Sequence, residues 1–343
     1  MSLVMNCLNM SIYWIGAVLI NAVAINGAAS VAARVGIFAD MIVFMSYAMQ
    51  VIMSFIMIVM VIIIMPRALE AAKRISEVLA TEPKVVSGSV TDSGGVRGTV
   101  EFKNVSFTYP GGSGSVISDV SFKADRGETV AFIGSTGSGK TTLMNLIPRF
   151  YDASEGEVLV DGVNVKEYDL EALYAKIGYV SQKAVMFTGT VADNVAFGQN
   201  ADESKLTDAL EISHSADFIS ELEDKENAHM ARGGTNFSGG QKQRLSIARA
   251  LCRDCEILIF DDTFSALDFK TDRELRDALK DRTAGQTKLI VAQRIGTIMS
   301  ADRIVVLDEG RVVGIGTHRE LLKSCEVYRQ IALSQLSEEE LAI

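Results

Sequence analysis

The segment from Gly134 to Thr142 has the residue types and the spacing that bind phosphate groups. It reads Gly134, Ser135, Thr136, Gly137, Ser138, Gly139, Lys140, Thr141 and Thr142. Glycines let backbone N–H groups curl around phosphate oxygens without a Cβ clash, and a helix N-terminus adds free donors. Lys140 supplies a mobile cation for the β- and γ-phosphates, and the Thr141 hydroxyl can coordinate Mg²⁺. The spacing therefore predicts a phosphate-binding loop.

The flanking elements favour this interpretation over a glycine-rich turn without a ligand. The apolar run Thr129–Ile133 predicts a buried strand before the loop, and residues 141–147 predict a helix after it. A second apolar run, Glu256–Phe260, ends in Asp261. Nucleotides lie at the carboxyl edge of such sheets. We therefore predict that Asp261 holds Mg²⁺ from the side opposite the loop.

The elements that position these residues alternate between short apolar runs and helical patterns. The predicted strands are Glu101–Tyr109, Thr129–Ile133, Glu256–Phe260, Lys288–Ala292 and Ile304–Leu307. Runs that are apolar throughout suit parallel strands buried on both faces. We predict an α/β fold: a phosphate-loop ATPase domain with a mixed or parallel sheet and a helical subdomain, preceded by two transmembrane helices.

The N-terminal end of the chain is long and uncharged. No charged side chain occurs over residues 1–33 or 41–65, and about 20 apolar residues span a bilayer as a helix. We predict two membrane helices over about 3–25 and 36–64, joined by a turn around Asn26 to Arg34. A signal peptide would begin with a positive region and be shorter, and so long an uncharged stretch is rare in a soluble core.

Positive side chains follow the second predicted span. Arg67, Lys73 and Arg74 lie directly after it, and an excess of Lys and Arg marks the cytoplasmic side of a membrane protein. The predicted localisation is the cell membrane, with more than one span and with the domain after residue 100 in the cytoplasm.

Changes in pattern give the predicted domain boundaries. Residues 1–80 form a partial transmembrane domain, because residues 66–79 keep helical spacing and carry the second helix into the cytosol. Pro83 ends that helix. Residues 81–99, rich in Ser, Gly and Val, are a predicted linker. Residues 100–335 are a predicted nucleotide-binding domain with a helical subdomain over about 183–251, and residues 336–343 are a tail.

The charge balance and the cysteines each exclude a class of function. A formal net charge of −10 argues against a nucleic-acid-binding surface, which needs basic patches. Cys252 and Cys255 have the spacing of a metal or redox pair, but no second pair and no nearby histidine completes a zinc set. Ordinary free thiols in a reducing cytosol are therefore favoured.

The segment from Asn236 to Arg244 resembles the signature motif of ATP-binding cassette (ABC) proteins. Its central residues are Ser238, Gly239, Gly240 and Gln241. Tyr109 matches the family's aromatic residue that stacks on adenine, and Gln182 matches the glutamine that reaches Mg²⁺ and couples to the membrane domain. Residues 265–268 match the loop at the family's dimer interface. The resemblance implies that the ligands are ATP and Mg²⁺.

The N-terminal end resembles the last two helices of exporter-type half-transporters. The resemblance implies that the first four membrane helices are lacking, and that the partners are a second ABC half-transporter, membrane lipid and an exported substrate. That substrate stays unknown, because its recognition would lie mostly in the other helices. In the family, two cassettes meet head to tail, so Ser238 and the glycines after it would donate to the γ-phosphate of the partner's nucleotide. Residues 183–251 would contact the membrane domain.

Two positions depart from the family pattern. The residue after the magnesium aspartate is normally a glutamate that polarises the attacking water, and here it is Asp262. Its side chain is one methylene shorter, and a misplacement of about 1 Å can cost roughly 10²-fold in rate. Gln293 replaces the family's switch histidine; it can donate to the γ-phosphate but cannot carry a proton. With Gln182 and Lys140, these two residues are the predicted catalytic set.

Together the departures predict a site that hydrolyses ATP slowly, in the degenerate subunit of a heterodimeric multidrug- or lipid-type exporter. A slow symmetric homodimeric exporter is the first alternative. A regulatory ABC ATPase without transport is the second, and the two membrane-length helices disfavour it. A nucleotide kinase or GTPase is disfavoured by the signature and by Tyr109.

Overall fold

A computed structural model describes residues 2–25, 31–198 and 202–336 of the protein. The chain divides into two units, Met1–Lys84 and Val85–Ile343. The first contains two helices and the second an α/β fold. Residues 26–30 of the predicted turn, and all but the first residue of the predicted tail, lie outside the described residues.

The helices of the first unit are α1 (Ser2–Ile25) and α2 (Val31–Leu79). Both are long and apolar enough to cross a membrane, and almost none of their side chains is buried. As predicted, α2 continues through Pro66 into the charged residues that follow. Its 49 residues rise about 74 Å at about 1.5 Å per residue, more than twice the roughly 30 Å of a bilayer core.

The second helix begins earlier than predicted. Residues 31–34 were expected in the turn, but they are helical, and α2 starts at Val31 rather than at residue 36. Valine, alanine and arginine are compatible with a helix, and Gly36 costs only about 1 kcal/mol in a helix interior. A single glycine therefore does not delay the start of a long apolar helix.

The second unit contains twelve strands and ten helices among its described residues. The helices are α3 (Lys140–Leu146), α4 (Leu170–Lys176), α5 (Val191–Val195), α6 (Glu203–Ile212), α7 (Ala216–Ser220), α8 (Gly239–Leu251), α9 (Phe269–Arg282), α10 (Ile295–Ile298), α11 (His318–Ser324) and α12 (Glu326–Leu333). The strands are β1 (Val100–Phe107), β2 (Ile117–Ala124), β3 (Thr129–Gly134), β4 (Glu155–Val160), β5 (Val163–Asn164), β6 (Ile177–Val180), β7 (Gly189–Thr190), β8 (His229–Met230), β9 (Ile257–Asp261), β10 (Thr287–Val291), β11 (Arg303–Asp308) and β12 (Arg311–Gly316). Short 3₁₀ helices occupy Lys225–Asn227, Arg232–Gly234 and Thr263–Ala266.

Two larger sheets organise this unit. A six-stranded sheet has the order β12-β11-β3-β10-β9-β6, and all of its neighbouring pairs are parallel except β11 with β12. This confirms the predicted α/β fold with a mixed, mainly parallel sheet. A separate four-stranded antiparallel sheet, β2-β1-β4-β5, was not predicted. The short pair β7-β8 lies within the helical region.

The apolar core lies on both faces of the six-stranded sheet. One cluster fills the space between it and the antiparallel sheet and includes Phe102, Phe132 and Leu143. The other includes Phe260 and Tyr328 and packs beneath α9, α11 and α12. Because β3, β9 and β10 are buried on both faces, their carboxyl ends are held at fixed positions along one edge.

Residues 85–99 of the predicted linker belong to the second unit and are hydrogen-bonded within it. Gly88 N donates to Tyr168 O at 2.8 Å, and Val90 forms an isolated bridge with the same residue. The Arg149 guanidinium donates to Val86 O at 2.9 Å. The strand predicted over Glu101–Tyr109 corresponds to β1. Because β1 ends at Phe107, Tyr109 lies in the turn that follows it.

Candidate functional site

The predicted phosphate loop connects β3 to α3 at the carboxyl edge of the six-stranded sheet. Gly137 and Gly139 have φ angles of 84° and 93°, in the left-handed region that glycine enters without a Cβ penalty. A Cβ at Gly134 would lie 2.0 Å from Leu307 O, so β11 passes too close for any other residue. Gly139 precedes the first residue of α3 and makes no side-chain cap, so the first N–H groups of the helix have no side-chain acceptor from the cap.

Lys140 is folded back into this loop. Its Nζ donates to Gly134 O at 2.9 Å, to Ser135 O at 2.8 Å and to Ser138 Oγ at 3.2 Å. Burial lowers the pKa of Lys140, and the nearby Asp262 and Asp261 carboxylates partly oppose this shift. A buried ammonium group held by neutral carbonyl and hydroxyl oxygens is suited to a stronger, anionic acceptor such as a phosphate.

Asp261, the last residue of β9, lies beside the first turn of α3. Thr141 Oγ1 donates to Asp261 Oδ1 at 2.9 Å. The Tyr179 hydroxyl lies 3.3 Å from Asp261 Oδ2 and 3.0 Å from Asn145 Oδ1, so its one proton serves two acceptors. Burial raises the pKa of Asp261, and the hydrogen bonds from Thr141 and Tyr179 offset part of that rise.

These groups fit a magnesium ion. A hydroxyl and a carboxylate oxygen are ligands that Mg²⁺ prefers, and the ion is usually bound by one or two protein groups plus phosphate oxygens. Asp261 is 2 % exposed, and Lys140, the cation that acts on it electrostatically, is bonded to the loop. A bound cation would therefore lower the electrostatic cost of this buried carboxylate. Thr141 and Asp261 are the residues that would hold it, whereas the amide of Gln182, also predicted as a ligand, donates to Asp262.

Asp262 accepts two amide groups on one oxygen. Gln182 Nε2 donates to Asp262 Oδ2 at 3.0 Å, and Gln293 Nε2 donates to the same oxygen at 2.7 Å. The other oxygen, Oδ1, is buried and has no hydrogen-bond partner among the described residues. The Asp262 backbone is left-handed, with φ 48° and ψ 32°, a conformation that aspartate tolerates better than most residues. The structure thus brings three predicted catalytic residues into direct contact.

A cleft of about 300 Å³ joins the phosphate loop to these three residues. Its lining comprises Val116, Thr136, Gly137, Gly139, Lys140, Thr141, Thr142, Gln182, Asp262, Val291 and Gln293. It holds a cation at one side and a carboxylate with two amides at the other. The cleft can therefore take a polyphosphate with its terminal group toward Asp262.

Tyr109 lies beside the loop and does not line this cleft. Its hydroxyl is 3.0 Å from Thr142 Oγ1. Its ring meets Phe107 and Tyr151 edge to face, with centroids 4.8 and 5.2 Å apart. Tyr151, which was not predicted, is 37 % exposed and adds aromatic surface next to Tyr109. Its sequence context gave no signal for this role.

The signature residues lie at the N-terminus of α8, away from the cleft lining. Ser238 is the N-cap: its Oγ accepts from Gln241 N at 3.2 Å, and Gln241 Oε1 accepts from Ser238 N at 2.8 Å. A Cβ on Gly239 would meet nothing within 4 Å. The fold of one chain therefore presents Ser238, Gly239, Gly240 and Gln241 at an exposed helix N-terminus, which favours binding of an anion from outside the chain.

The predicted interface loop, residues 265–268, is hydrogen-bonded to Asp262 of the cleft and to Arg294 beside it. Ser265 Oγ donates to Asp262 O at 2.8 Å. The Arg294 guanidinium donates to Leu267 O and Ser265 O, each at 3.3 Å, and lies 4.9 Å from the centroid of the Phe269 ring. Arg294 was not predicted as a site residue, although it directly follows Gln293.

Cys252 and Cys255 are both buried. Burial raises the pKa of Cys252, and it raises that of Cys255 to about 11. Their side chains lie in different apolar clusters, Cys252 in the helical region and Cys255 beneath the six-stranded sheet. No group of metal-binding side chains was found among the described residues.

The chain is similar to known proteins in sequence and in structure. The family model described as "ABC transporter" matches residues 117–265. An uncharacterized ABC transporter ATP-binding protein of Mycobacterium tuberculosis is 42% identical over 302 residues, which cover 86% of this chain and 52% of that protein. An ATP-dependent lipid A-core flippase of Burkholderia orbicola is 43% identical over 253 residues, covering 74% of this chain and 43% of the flippase.

A solved structure of a bacterial Atm1-family ABC exporter with ATP bound is also similar. It has a TM-score of 0.75 and 31% sequence identity, and the match covers 85% of this chain and 52% of that chain. The chain thus spans about half the length, or less, of these relatives.

Proposed function

The chain carries an ABC transporter ATP-binding domain with an ATPase site, and from this premise we propose that it is the ATP-binding subunit of an exporter. In this proposal the domain binds MgATP at the interface of two such domains that meet head to tail, and closure of that dimer drives export across the membrane. The match of 85% of the chain to an ATP-bound exporter, with a TM-score of 0.75, supports the proposal.

Several residues in and beside the cleft have separate roles in the proposed reaction. The loop N–H groups and Lys140 bind the β- and γ-phosphates, exchanging the carbonyl contacts of Lys140 for phosphate oxygens. Thr141 and Asp261 hold Mg²⁺, which neutralises charge on the phosphates when it is bound. Gln293 donates a neutral hydrogen bond to the γ-phosphate, and Asp262 orients the attacking water. Tyr109, with Tyr151 beside it, stacks on the adenine ring.

We propose that this site hydrolyses ATP slowly, and the geometry of Asp262 is the observation that carries this point. Both amides donate to Asp262 Oδ2, so the carboxylate is held against Gln182 and Gln293. The remaining oxygen is buried, and it sits on a side chain one methylene shorter than glutamate. Neither amide can accept and release a proton, so Gln182 and Gln293 cannot take over the water proton from Asp262.

An intact signature beside a weakened catalytic set favours a heterodimer. The capped N-terminus of α8 keeps Ser238 and Gly239 exposed and ordered. In the proposed complex these residues bind the γ-phosphate of a partner subunit's ATP, at a site whose catalytic residues belong to that partner. The chain then contributes to hydrolysis mainly through its signature, and the ATP bound at its own site mainly keeps the dimer closed.

The two helices of the first unit support a membrane location. Each has the length and composition to cross a bilayer, and the charged end of α2 carries i,i+4 ion pairs, Glu70 with Arg74 and Lys73 with Glu77, that suit an aqueous environment. We propose a multi-pass protein of the cell membrane, with the nucleotide-binding domain in the cytoplasm on the side of Arg67.

Phosphate release by the full chain in lipid nanodiscs, without any other subunit, tests the proposal. We expect turnover near background for the wild type. The double variant Asp262→Glu, Gln293→His should be faster by roughly 10²-fold, the effect of about 1 Å of misplacement. The same double variant with Lys140→Ala is the matched control, because it removes the phosphate ligand and should return to background. Wild-type turnover equal to that of the double variant would refute the slow-site proposal.

A further inference from the structure

Gln335, just after α12, binds the backbone on both sides of Arg294. Its Nε2 donates to Gln293 O at 2.7 Å, and its Oε1 accepts from Ile295 N at 2.8 Å. One side-chain amide thus uses its donor and its acceptor to fix a three-residue segment. That segment connects β10 to α10 and carries Gln293 into the cleft.

The helix that precedes Gln335, α12, is firmly anchored. Tyr328 and Ala332 of α12 are fully buried in the cluster beneath the six-stranded sheet. The Tyr328 hydroxyl lies 2.7 Å from His318 Nδ1 on α11. Beyond the helix, Leu336 N donates to Ala332 O at 3.0 Å, and Leu336 is partly buried. Gln335 therefore extends from a fixed support.

The segment that Gln335 holds also joins the two parts of the site. The side chain of Gln293 reaches Asp262 Oδ2 at 2.7 Å. The side chain of Arg294 reaches Ser265 O and Leu267 O, each at 3.3 Å. Without the Gln335 contacts, the Gln293 carbonyl and the Ile295 N–H would lose their side-chain partner, and the segment could rotate.

We propose that Gln335 is a positioning residue for γ-phosphate recognition: it holds the backbone on both sides of Arg294 so that the Gln293 amide is aimed at the terminal phosphate of ATP. This inference rests on the proposed function, since it assumes that the cleft binds ATP. It adds that the end of the domain, 42 residues after Gln293, sets the preference for a triphosphate over a diphosphate.

The test compares two nucleotides that differ in the γ-phosphate. Calorimetry on the full chain in nanodiscs, in the presence of Mg²⁺, gives the dissociation constants of a non-hydrolysable ATP analogue and of ADP. Gln335→Met keeps the side-chain volume and removes both hydrogen bonds. The variant should misplace one hydrogen bond, from the Gln293 amide to the γ-phosphate, so we expect the preference for the triphosphate to fall about three- to tenfold while ADP affinity stays unchanged.

Two further variants separate positioning from folding. Gln335→Glu keeps an acceptor for Ile295 N but places a carboxylate oxygen against Gln293 O, so it should lose the preference as well. Gln330→Met is the matched control: Gln330 lies on α12, the helix before Gln335, and among the described residues its side chain bonds to the exposed Glu326, at 3.0 Å. It should keep the wild-type preference. A loss of both affinities with a lowered unfolding temperature would assign Gln335 a merely structural role and overturn the inference.

The remaining outcomes distinguish the inference from the proposed function. If the wild type prefers the triphosphate and Gln335→Met prefers it equally, the inference is wrong and the proposed function stands. If the wild type binds both nucleotides equally, Gln293 makes no γ-phosphate contact and the inference is again wrong. If neither nucleotide binds, the proposed function fails and the inference fails with it.

Discussion

Replacing Asp261 by asparagine should separate stability from magnesium binding. Asparagine has the same shape, can still accept from Thr141 on its oxygen, and can donate to the Tyr179 hydroxyl, which lies 3.3 Å from Asp261 Oδ2. Burial raises the pKa of Asp261 in the folded protein. The stability contribution of this carboxyl group is therefore present below its unfolded pKa and is lost as the pH rises through the folded pKa. At neutral pH and without a cation, we expect Asp261→Asn to unfold at the same or a higher temperature than the wild type.

MgATP should reverse the order, so that the wild type unfolds at a higher temperature than Asp261→Asn. At a MgATP concentration of about 100 times the dissociation constant, binding stabilises the wild type by about 2.7 kcal/mol. For a domain of this size, that energy raises the unfolding temperature by about 5–11 °C. The Asp261→Asn substitution removes the only negative ligand of the Thr141–Asp261 pair. If affinity falls about 100-fold, the same concentration gives about 0.4 kcal/mol, or less than about 2 °C.

The buried cysteines provide the assay. Cys252, Cys255 and Cys325 are buried in the second unit, whereas Cys7 in α1 is exposed. In a Cys7→Ser background, a thiol-reactive fluorophore therefore reports unfolding of the second unit, and the single tryptophan, Trp14, lies in α1. Asp308→Asn, at the end of β11 in the same sheet, is the matched control and should keep the full magnesium-dependent rise. The reasoning is refuted if Asp261→Asn, compared in Mg²⁺ and in EDTA, keeps that rise too.

Three further outcomes are expected. Ser238→Ala removes the N-cap of α8 and should lower the free energy of unfolding by about 1 kcal/mol in chemical denaturation; an unchanged midpoint would contradict the capping role. Tyr109→Ala should weaken ATP binding in calorimetry by removing about 1 kcal/mol of aromatic stacking, whereas Tyr109→Phe, which loses only the contact to Thr142, should bind nearly as well as the wild type. Because burial raises the pKa of Cys255 to about 11, iodoacetamide at pH 8 should leave it unmodified in the folded protein and label it in denaturant, as peptide mass spectrometry would show.

Local patterns predicted much of this fold and site. The spacing from Gly134 to Thr141 encodes a loop and the start of a helix, because glycine φ angles and helix termini are set by a few neighbouring residues. The capping box of Ser238 and Gln241 at the start of α8 rests on the same short-range physics. The predicted end of β1 and the predicted start of α2 lie a few residues from the observed ones, Phe107 and Val31, as element boundaries often do.

By itself, the sequence determined the phosphate loop, the two apolar helices and the identities of Asp262 and Gln293. Only the tertiary structure decided which groups meet. The order of β3, β10 and β9 places Thr141 beside Asp261, 120 residues away, and Gln293 beside Asp262, 31 residues away. The contact of Gln335 with Gln293 had no signal in the sequence. Such contacts join loops from separate elements, so they depend on sheet order and core packing, which no local pattern encodes.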